Sequence, residues 1–459
     1  MTTDLWNHQR AALAWLEGRH AALLHHDPGV GKSRVVVEYV ARHRPARTLI
    51  VAPLPVVPVW PGEFGKHGDG RTRILQLDSG SVSDRADDLR NFDARAQLPV
   101  AIVINYESAW REPIAETLLS FPWDLVVLDE SQRAKSPGGK ASRFLARLRA
   151  RAAVRLCLSG TPFPHSPLDA YAQFRFLEPS VFGTSVTSYR ARYAVMGGHS
   201  VNGRPVQIVG WRNMEEWSAK VGALSHRVRR EDVLDLPPFQ HVDRDVVLPP
   251  AAMRAYKAME RDLIAEIEAG TVTSANAMVK VTRLAQLASG HAKIEETGAV
   301  VPLHAAKAEA LAELLDEIDP LEPIAVFTRF VPSAEAALRV AVAAGRHVGR
   351  VDGKENTLGG HVWKPAPGEV LVCNYASGSL GLDFTAARYC VLYEATFNGG
   401  EYEQSLLRVH RANQVRGVVY WHLLAKGTQD RRVRDALARK KDAVEAALAG
   451  LGAKENVNG

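Results

Sequence analysis

The stretch HHDPGVGKSRVVVEY, residues 25–39, joins one apolar run to another through a turn carrying two glycines, a lysine and a serine. The strict phosphate-binding pattern GxxxxGK[ST] would put its first glycine where His26 stands, so the string is the looser form PGxGKS. Gly29 and Gly31 let the backbone approach an anion, Lys32 would reach the β- and γ-phosphates, and Ser33 would hold Mg²⁺. An ordinary glycine-rich turn would use the same letters, so the string alone leaves both readings open. His25 and His26 read as a wet strand end rather than as metal ligands.

Working outward, TLIVAP (48–53), VAIVINY (100–106), DLVVLDE (124–130) and VRLCLSGTP (154–162) are short runs of nearly unbroken apolar residues. Such runs suit strands covered on both faces, the habit of a parallel sheet, and RVVVEYVARH (34–43) reads as the helix of a strand-turn-helix unit. From 301 the alternation returns in PIAVFTRF (323–330), EVLVCNY (369–375), YCVLYEA (389–395) and VVYWHLL (418–424). Between them, AAMRAYKAMERDLIAEIEAG (251–270) and ANAMVKVTRLAQLASG (275–290) have helical spacing, and LDLPPF (234–239) reads as a connector. The expectation is an α/β chain with one parallel-sheet lobe over 1–163, a mostly helical insertion and connector over 164–300, and a second lobe over 301–459.

The chain has 459 residues, 46% hydrophobic and 24% charged, as expected of a globular protein with room for two or three domains. Its net charge of +6 suits a polyanionic partner. Cys157, Cys373 and Cys390 lack metal-ligand spacing and sit in apolar runs, which predicts buried thiols in a reducing cytoplasm. No basic-then-apolar leader pattern opens MTTDLWNHQR, and no uncharged apolar stretch approaches the ~18 residues of a membrane span, so no membrane is expected.

The chemistry-bearing residues cluster at strand ends. Asp129 and Glu130 end a buried run, where a sheet's carboxyl edge faces its ligand crevice. Asp129 would hold Mg²⁺, and Glu130 would orient and deprotonate an attacking water. An exposed acid pair at a strand end is the plain alternative. Ser159, Gly160 and Thr161 end another run, where hydroxyls could sense a γ-phosphate or simply turn the chain. In QSLLRVHRANQ (404–414), Arg408 and Arg411 are three apart and would share a helix face, either as arginine fingers or as a solvated basic face.

In order along residues 5 to 440, these strings resemble the motor of superfamily-two helicases, and more narrowly the Swi/Snf-type ATPases, whose cores are two RecA-like lobes. LWNHQRAALAWL resembles that family's adenine-recognition element, with Gln9 as the base-reading glutamine. DPGVGKS resembles its first motif, LIVAPLPVVPVW its next with Pro53 and Trp60 matching, and VINYES its short DNA-side motif. LDESQRAKSP resembles the DEAH-like box, LSGTPFPHSPLDAYAQFRFLEP the motif after it, and RREDVLDLPP the connector. In the second half, IAVFTRF, YASGSLGLDFTAARYCVLYEATFN and EQSLLRVHRANQ resemble motifs IV, V and VI, the last placing Gln404, Arg408 and Arg411.

The resemblance implies Mg-ATP held by Gln9, Gly29, Gly31, Lys32, Ser33 and Gln404, with Lys32, Asp129, Glu130, Arg408 and Arg411 catalytic. It implies coupling through Gln132, Ser159, Gly160 and Thr161, and nucleic-acid contacts at Asn105, Ser377 and Gly378. It further implies translocation on double-stranded DNA in a bacterial or phage-infected cytoplasm, with any protein partner unspecified. An RNA or forked-DNA helicase, a nucleotide-gated binding module that hydrolyses weakly, and a subunit of a larger assembly are the alternatives. Pro28, Gly29, Ser33, Gln132, Asp383 and Asn413 depart from the family's usual letters, and the compact chain resembles small phage and bacterial members.

Overall fold

In a computed structural model, which describes residues 4–94, 99–164, 166–201, 204–268, 274–294, 297–353, 355–358, 362–375, 382–412, 414–435 and 437, the apolar runs become parallel strands covered on both faces. The described chain divides into two units, residues 4–234 and residues 235–437.

The first unit carries β1 (Ala21–His26), β2 (Arg47–Ala52), β3 (Arg73–Leu77), β4 (Val100–Asn105), β5 (Trp123–Asp129) and β6 (Ala152–Ser159). A hairpin, β7 (Ala194–Val201) and β8 (Arg204–Trp211), and the short β9 (Ser225–Val228) follow. The sheet is parallel throughout in the order β3-β4-β2-β5-β6-β1-β9. Because side chains alternate along a strand, each run feeds two cores at once. Leu23, Leu49, Val51, Ile102, Ile104, Val126 and Leu128 enter one, and Leu24, Ile50, Val103, Val127, Leu156 and Leu158 the other. Burying each such side chain contributes about 1.5–3 kcal/mol, and a slip of one residue would exchange the two sets without exposing either.

The second unit carries β10 (Phe239–Val246), a small antiparallel pair of β11 (His291–Lys293) and β12 (Val300–Pro302), then β13 (Ile324–Thr328), β14 (Val348–Val351), β15 (Val370–Asn374), β16 (Tyr389–Leu392) and β17 (Val418–Ala425). Its sheet is also parallel, in the order β10-β17-β16-β13-β15-β14. Ile324, Val326, Val370 and Val372 face one core, and Ala325, Phe327, Leu371 and Cys373 the other.

The reading of 164–300 as mostly helical needs correction. Helices Val186–Tyr193, Met214–Ala223, Pro250–Glu268 and Ser274–Ala288 are there, but β9 closes an edge of the first sheet and β10 an edge of the second. Edge strands are held by backbone pairing on one side and need no apolar run, and FQHVDRDV buries only Val246. The three cysteines are buried free thiols. Among the described residues, no helix is long and apolar enough to cross a membrane.

Candidate functional site

The phosphate-type turn leaves the carboxyl end of β1. Gly29 (φ 86°) and Gly31 (φ 82°) both occupy the left-handed region that other residues avoid. Helix Lys32–His43 starts directly after Gly31 without a side-chain cap, so its first-turn N–H groups are those an anion would engage. Val35, Val36, Val37 and Val40 pin the helix to the sheet, and Arg42 and His43 suit its C-terminal dipole. Lys32 Nζ donates to the carbonyls of His26 (3.0 Å) and Asp27 (3.4 Å), which holds its charge over the end of β1. Gln9 is buried against this turn: its Nε2 donates to Val30 O at 3.3 Å, its Oε1 accepts from Trp6 N, and a methyl added at Gly31 would collide with it.

Two strands along, Asp129 ends β5 and is buried. Its Oδ1 accepts from Glu130 N at 3.0 Å, its Oδ2 from Trp60 Nε1 at 3.1 Å, and its carbonyl from Tyr106 Oη at 2.9 Å. Burial, and then the neighbouring Glu130 charge, push its carboxyl up to about 7, opposed by Lys32 and the two N–H donors. Such a carboxylate calls for a cation. Mg²⁺ commonly takes one or two carboxylates and completes its shell with phosphate and water oxygens, so Asp129 beside the Lys32–Ser33 turn fits that donor set.

Glu130 is a non-glycine residue at φ 49°, a strained conformation of the kind found at functional sites. A continuous hydrogen-bond chain starts there. Gln132 Nε2 donates to Glu130 Oε2 (2.7 Å), Ser159 Oγ donates to Gln132 Oε1 (2.7 Å), and Thr161 N donates to Ser159 Oγ (3.1 Å). Gln132 bridges two groups because its amide both donates and accepts. Gly160 lies against the phosphate turn, where an added Cβ would stand 2.5 Å from Pro28 Cδ. Gln173, which sequence reasoning missed, adds a second tie: it accepts from Ser131 Oγ (2.7 Å) and donates to Pro162 O (2.6 Å). The sequence marks Trp60 only as a matching letter, and nothing in the string reveals its bond to Asp129.

Two other expectations meet the geometry differently. His25 and His26 are not at a wet strand end. Both are buried and neutral, held well below the ordinary imidazole range, by burial first and then by Arg227 for His25 and His226 for His26. His26 Nε2 meets His226 Nδ1 at 2.8 Å, and Arg227 Nη1 bonds His25 Nε2, because β9 lies beside β1. Asn105 ends β4 but is buried, its amide donating to Glu107 at 3.0 Å. Ser377 and Gly378, like Asn413, lie outside the described residues.

In the second unit, helix Gly399–Val409 starts with an Asn398 cap and carries Gln404 and Arg408. Arg411 lies beyond its end, so the two arginines do not share a helix face as spacing suggested. They converge instead on one acceptor: Arg408 Nη1 donates to Leu382 O at 2.9 Å and Arg411 Nη1 at 3.3 Å. Asp383 Oδ2 is 3.8 Å from Arg411, while its Oδ1 accepts from Thr385 N and Oγ1. Gln414 braces the segment by donating to the carbonyls of Thr385, Ala387 and Val409.

A family model for the SNF2-related domain matches residues 8–292, more than half of the chain. Protein p41 of Acyrthosiphon pisum secondary endosymbiont phage 1 is 24% identical over 90% of this chain and 91% of its own. A Mycoplasma pneumoniae protein described as an uncharacterized ATP-dependent helicase is 22% identical, over 97% of this chain. The DNA repair and recombination protein RAD54B of Gallus gallus is 21% identical, over 96% of this chain. This chain spans most of the phage protein but only 42% and 54% of the other two. Among solved structures, the Sulfolobus solfataricus SWI2/SNF2 ATPase core in complex with dsDNA aligns over 98% of this chain and 94% of its own, with 20% identity and a TM-score of 0.44.

Proposed function

This chain belongs to the SNF2-related domain family, and from that premise we propose that it is a DNA-dependent ATPase that hydrolyses Mg-ATP and uses the cycle to translocate along double-stranded DNA. One observation carries the nucleotide half of the reading. β5, β6 and β1 are adjacent and parallel, so Asp129, Ser159 and the Lys32 turn all leave the same carboxyl edge of the sheet.

In the proposed reaction, Lys32 and the N–H groups of the Gly29–Ser33 turn bind the phosphates. Asp129, with Ser33, would hold Mg²⁺, which when bound draws charge from the phosphate oxygens. Glu130, with Oε2 held by Gln132, takes the proton of the attacking water at Oε1. Loss of the γ-phosphate is passed along Glu130, Gln132, Ser159 and Thr161 to the segment after β6. Arg408 and Arg411 are the proposed arginine fingers, and Gln9 the proposed nucleotide reader. Domain roles follow: ATP binding in the first lobe, fingers in the second. The DNA contacts are proposed to be with phosphates, and so salt-sensitive and sequence-tolerant. The net charge of +6 and the printed name of the RAD54B relative, a DNA repair and recombination protein, support this half.

The test is steady-state ATPase rate against matched single-stranded, duplex and forked DNA and RNA. At least several-fold stimulation by duplex DNA is expected. Stimulation by RNA alone would transfer the reading to an RNA helicase, and turnover near background with tight ATP and DNA binding to a nucleotide-gated module.

A further inference from the structure

Trp60 sits in helix Val59–His67 with its side chain in the core formed by Ile50, Ala52, Val57 and Phe64, and it is 1% exposed. A phenylalanine would fill that space with similar apolar contact. What the indole adds is one N–H, and a buried indole N–H requires an acceptor. Its acceptor is Asp129 Oδ2, 3.1 Å away and 69 residues distant in sequence.

The bond has a geometric consequence. Glu130 N takes Oδ1 and Trp60 Nε1 takes Oδ2, so both oxygens are tethered and the carboxylate cannot rotate about its χ2 bond without breaking one tether. A carboxylate offers about four lone-pair directions, so two remain, one on each oxygen, in a fixed plane. Tyr106 Oη holds the same residue's carbonyl and fixes the main chain from the other side.

We propose that Trp60 is a positioning residue that sets the orientation in which Asp129 receives the divalent cation, so that the helix after β2 controls metal engagement. This rests on the Mg-ATP reading above. Groups that orient metal ligands in this way commonly account for 10–100-fold in metal affinity or activity.

The experiment compares wild type, Trp60→Phe and Phe64→Leu. Phe64 packs 6.3 Å from Trp60 in the same core but makes no bond to Asp129, so it reports packing loss alone. A fluorescent ATP analogue is titrated in EDTA and in Mg²⁺, and the free Mg²⁺ giving half-maximal hydrolysis is measured. Trp60→Phe should leave metal-free nucleotide affinity within about twofold of wild type. It should cut the Mg²⁺-dependent gain in affinity about tenfold and raise the Mg²⁺ midpoint about tenfold, with Phe64→Leu unchanged in both. A full Mg²⁺ gain in Trp60→Phe, or an equal loss in Phe64→Leu, overturns the proposal while leaving the Mg-ATP reading intact. A wild-type protein with no Mg²⁺-dependent gain overturns both. The wild type supplies a further measurement that needs no folded variant. The Trp60 indole N–H resonance should shift when Mg²⁺ is added to the nucleotide-bound protein, and a resonance that ignores the cation also overturns the proposal.

Discussion

Gly160→Ala inserts one methyl group where β6 meets the phosphate turn. The new Cβ would stand 2.5 Å from Pro28 Cδ, 2.9 Å from its Cγ and 3.2 Å from its backbone nitrogen. Ordinary contact begins at 3.4 Å, so something must move by about 0.9 Å. β6 is a poor candidate, because Ser159 is fully buried and pairs with His25 of β1 while Leu158 pairs with Asp129 of β5. The turn must therefore shift, carrying Gly29, Gly31 and Lys32. Gly160 is not in the left-handed region, so the cost is contact alone. Overpacking of this kind costs about 1–3 kcal/mol of stability, and a ~1 Å misplacement of phosphate-binding groups costs about 100-fold in rate. Urea unfolding and DNA-stimulated ATPase kinetics read the two effects separately. Gly65→Ala is the control, since nothing lies within 4 Å of its added methyl in helix Val59–His67, and it should be neutral or stabilising by up to ~1 kcal/mol. A Gly160→Ala protein with kcat/KM within twofold of wild type would refute the claim that this strand end and the turn are in obligatory contact.

Glu130→Gln keeps an oxygen for Gln132 Nε2, so ATP affinity should stay within about twofold by equilibrium binding while turnover falls by about 10²–10⁴; normal turnover contradicts the assigned role. Asp383→Asn removes the charge facing Arg411 and keeps an oxygen for Thr385, so DNA-free ATPase should rise several-fold with under ~1 kcal/mol change in stability, and a slower basal rate would count against Arg411 as a finger. His422 is buried against His241 in the second unit, and burial first, then the His241 and Arg434 charges, lower its pKa to about 3. Its unfolded form gains a proton as pH falls below about 6.5 while the folded form does not. The stability present above that pH should therefore drain away toward pH 3, by ~2 kcal/mol at pH 5. Chemical unfolding at pH 7.5 and 5.0 should show a smaller loss in His422→Phe, and an identical loss would exclude His422 as its source.

Where the string could be read, local chemistry was sufficient. TLIVAP, VAIVINY and DLVVLDE announce strands because residues buried on both faces must all be apolar, whatever lies beside them. The places of Gly29, Gly31, Lys32, Asp129 and Glu130 at strand ends were legible because each follows closely on an apolar run. β9 and β10 were not, because an edge strand is held by its neighbour's backbone. The partners of β9 and β10 lie about two hundred residues away, as in the pairings of Leu23 with Ser225 and Phe239 with Val418.

By itself, then, the order of residues determined the parallel-sheet character of both units and which polar residues stand at strand ends, since burial acts on each residue where it stands. Only the tertiary structure decided what those groups touch: Trp60 on Asp129, Gln9 on Val30, Gln132 between Glu130 and Ser159, His226 on His26. Hydrogen bonds reach about 3 Å, and which distant side chains come within that reach depends on strand order and register, which no local pattern encodes.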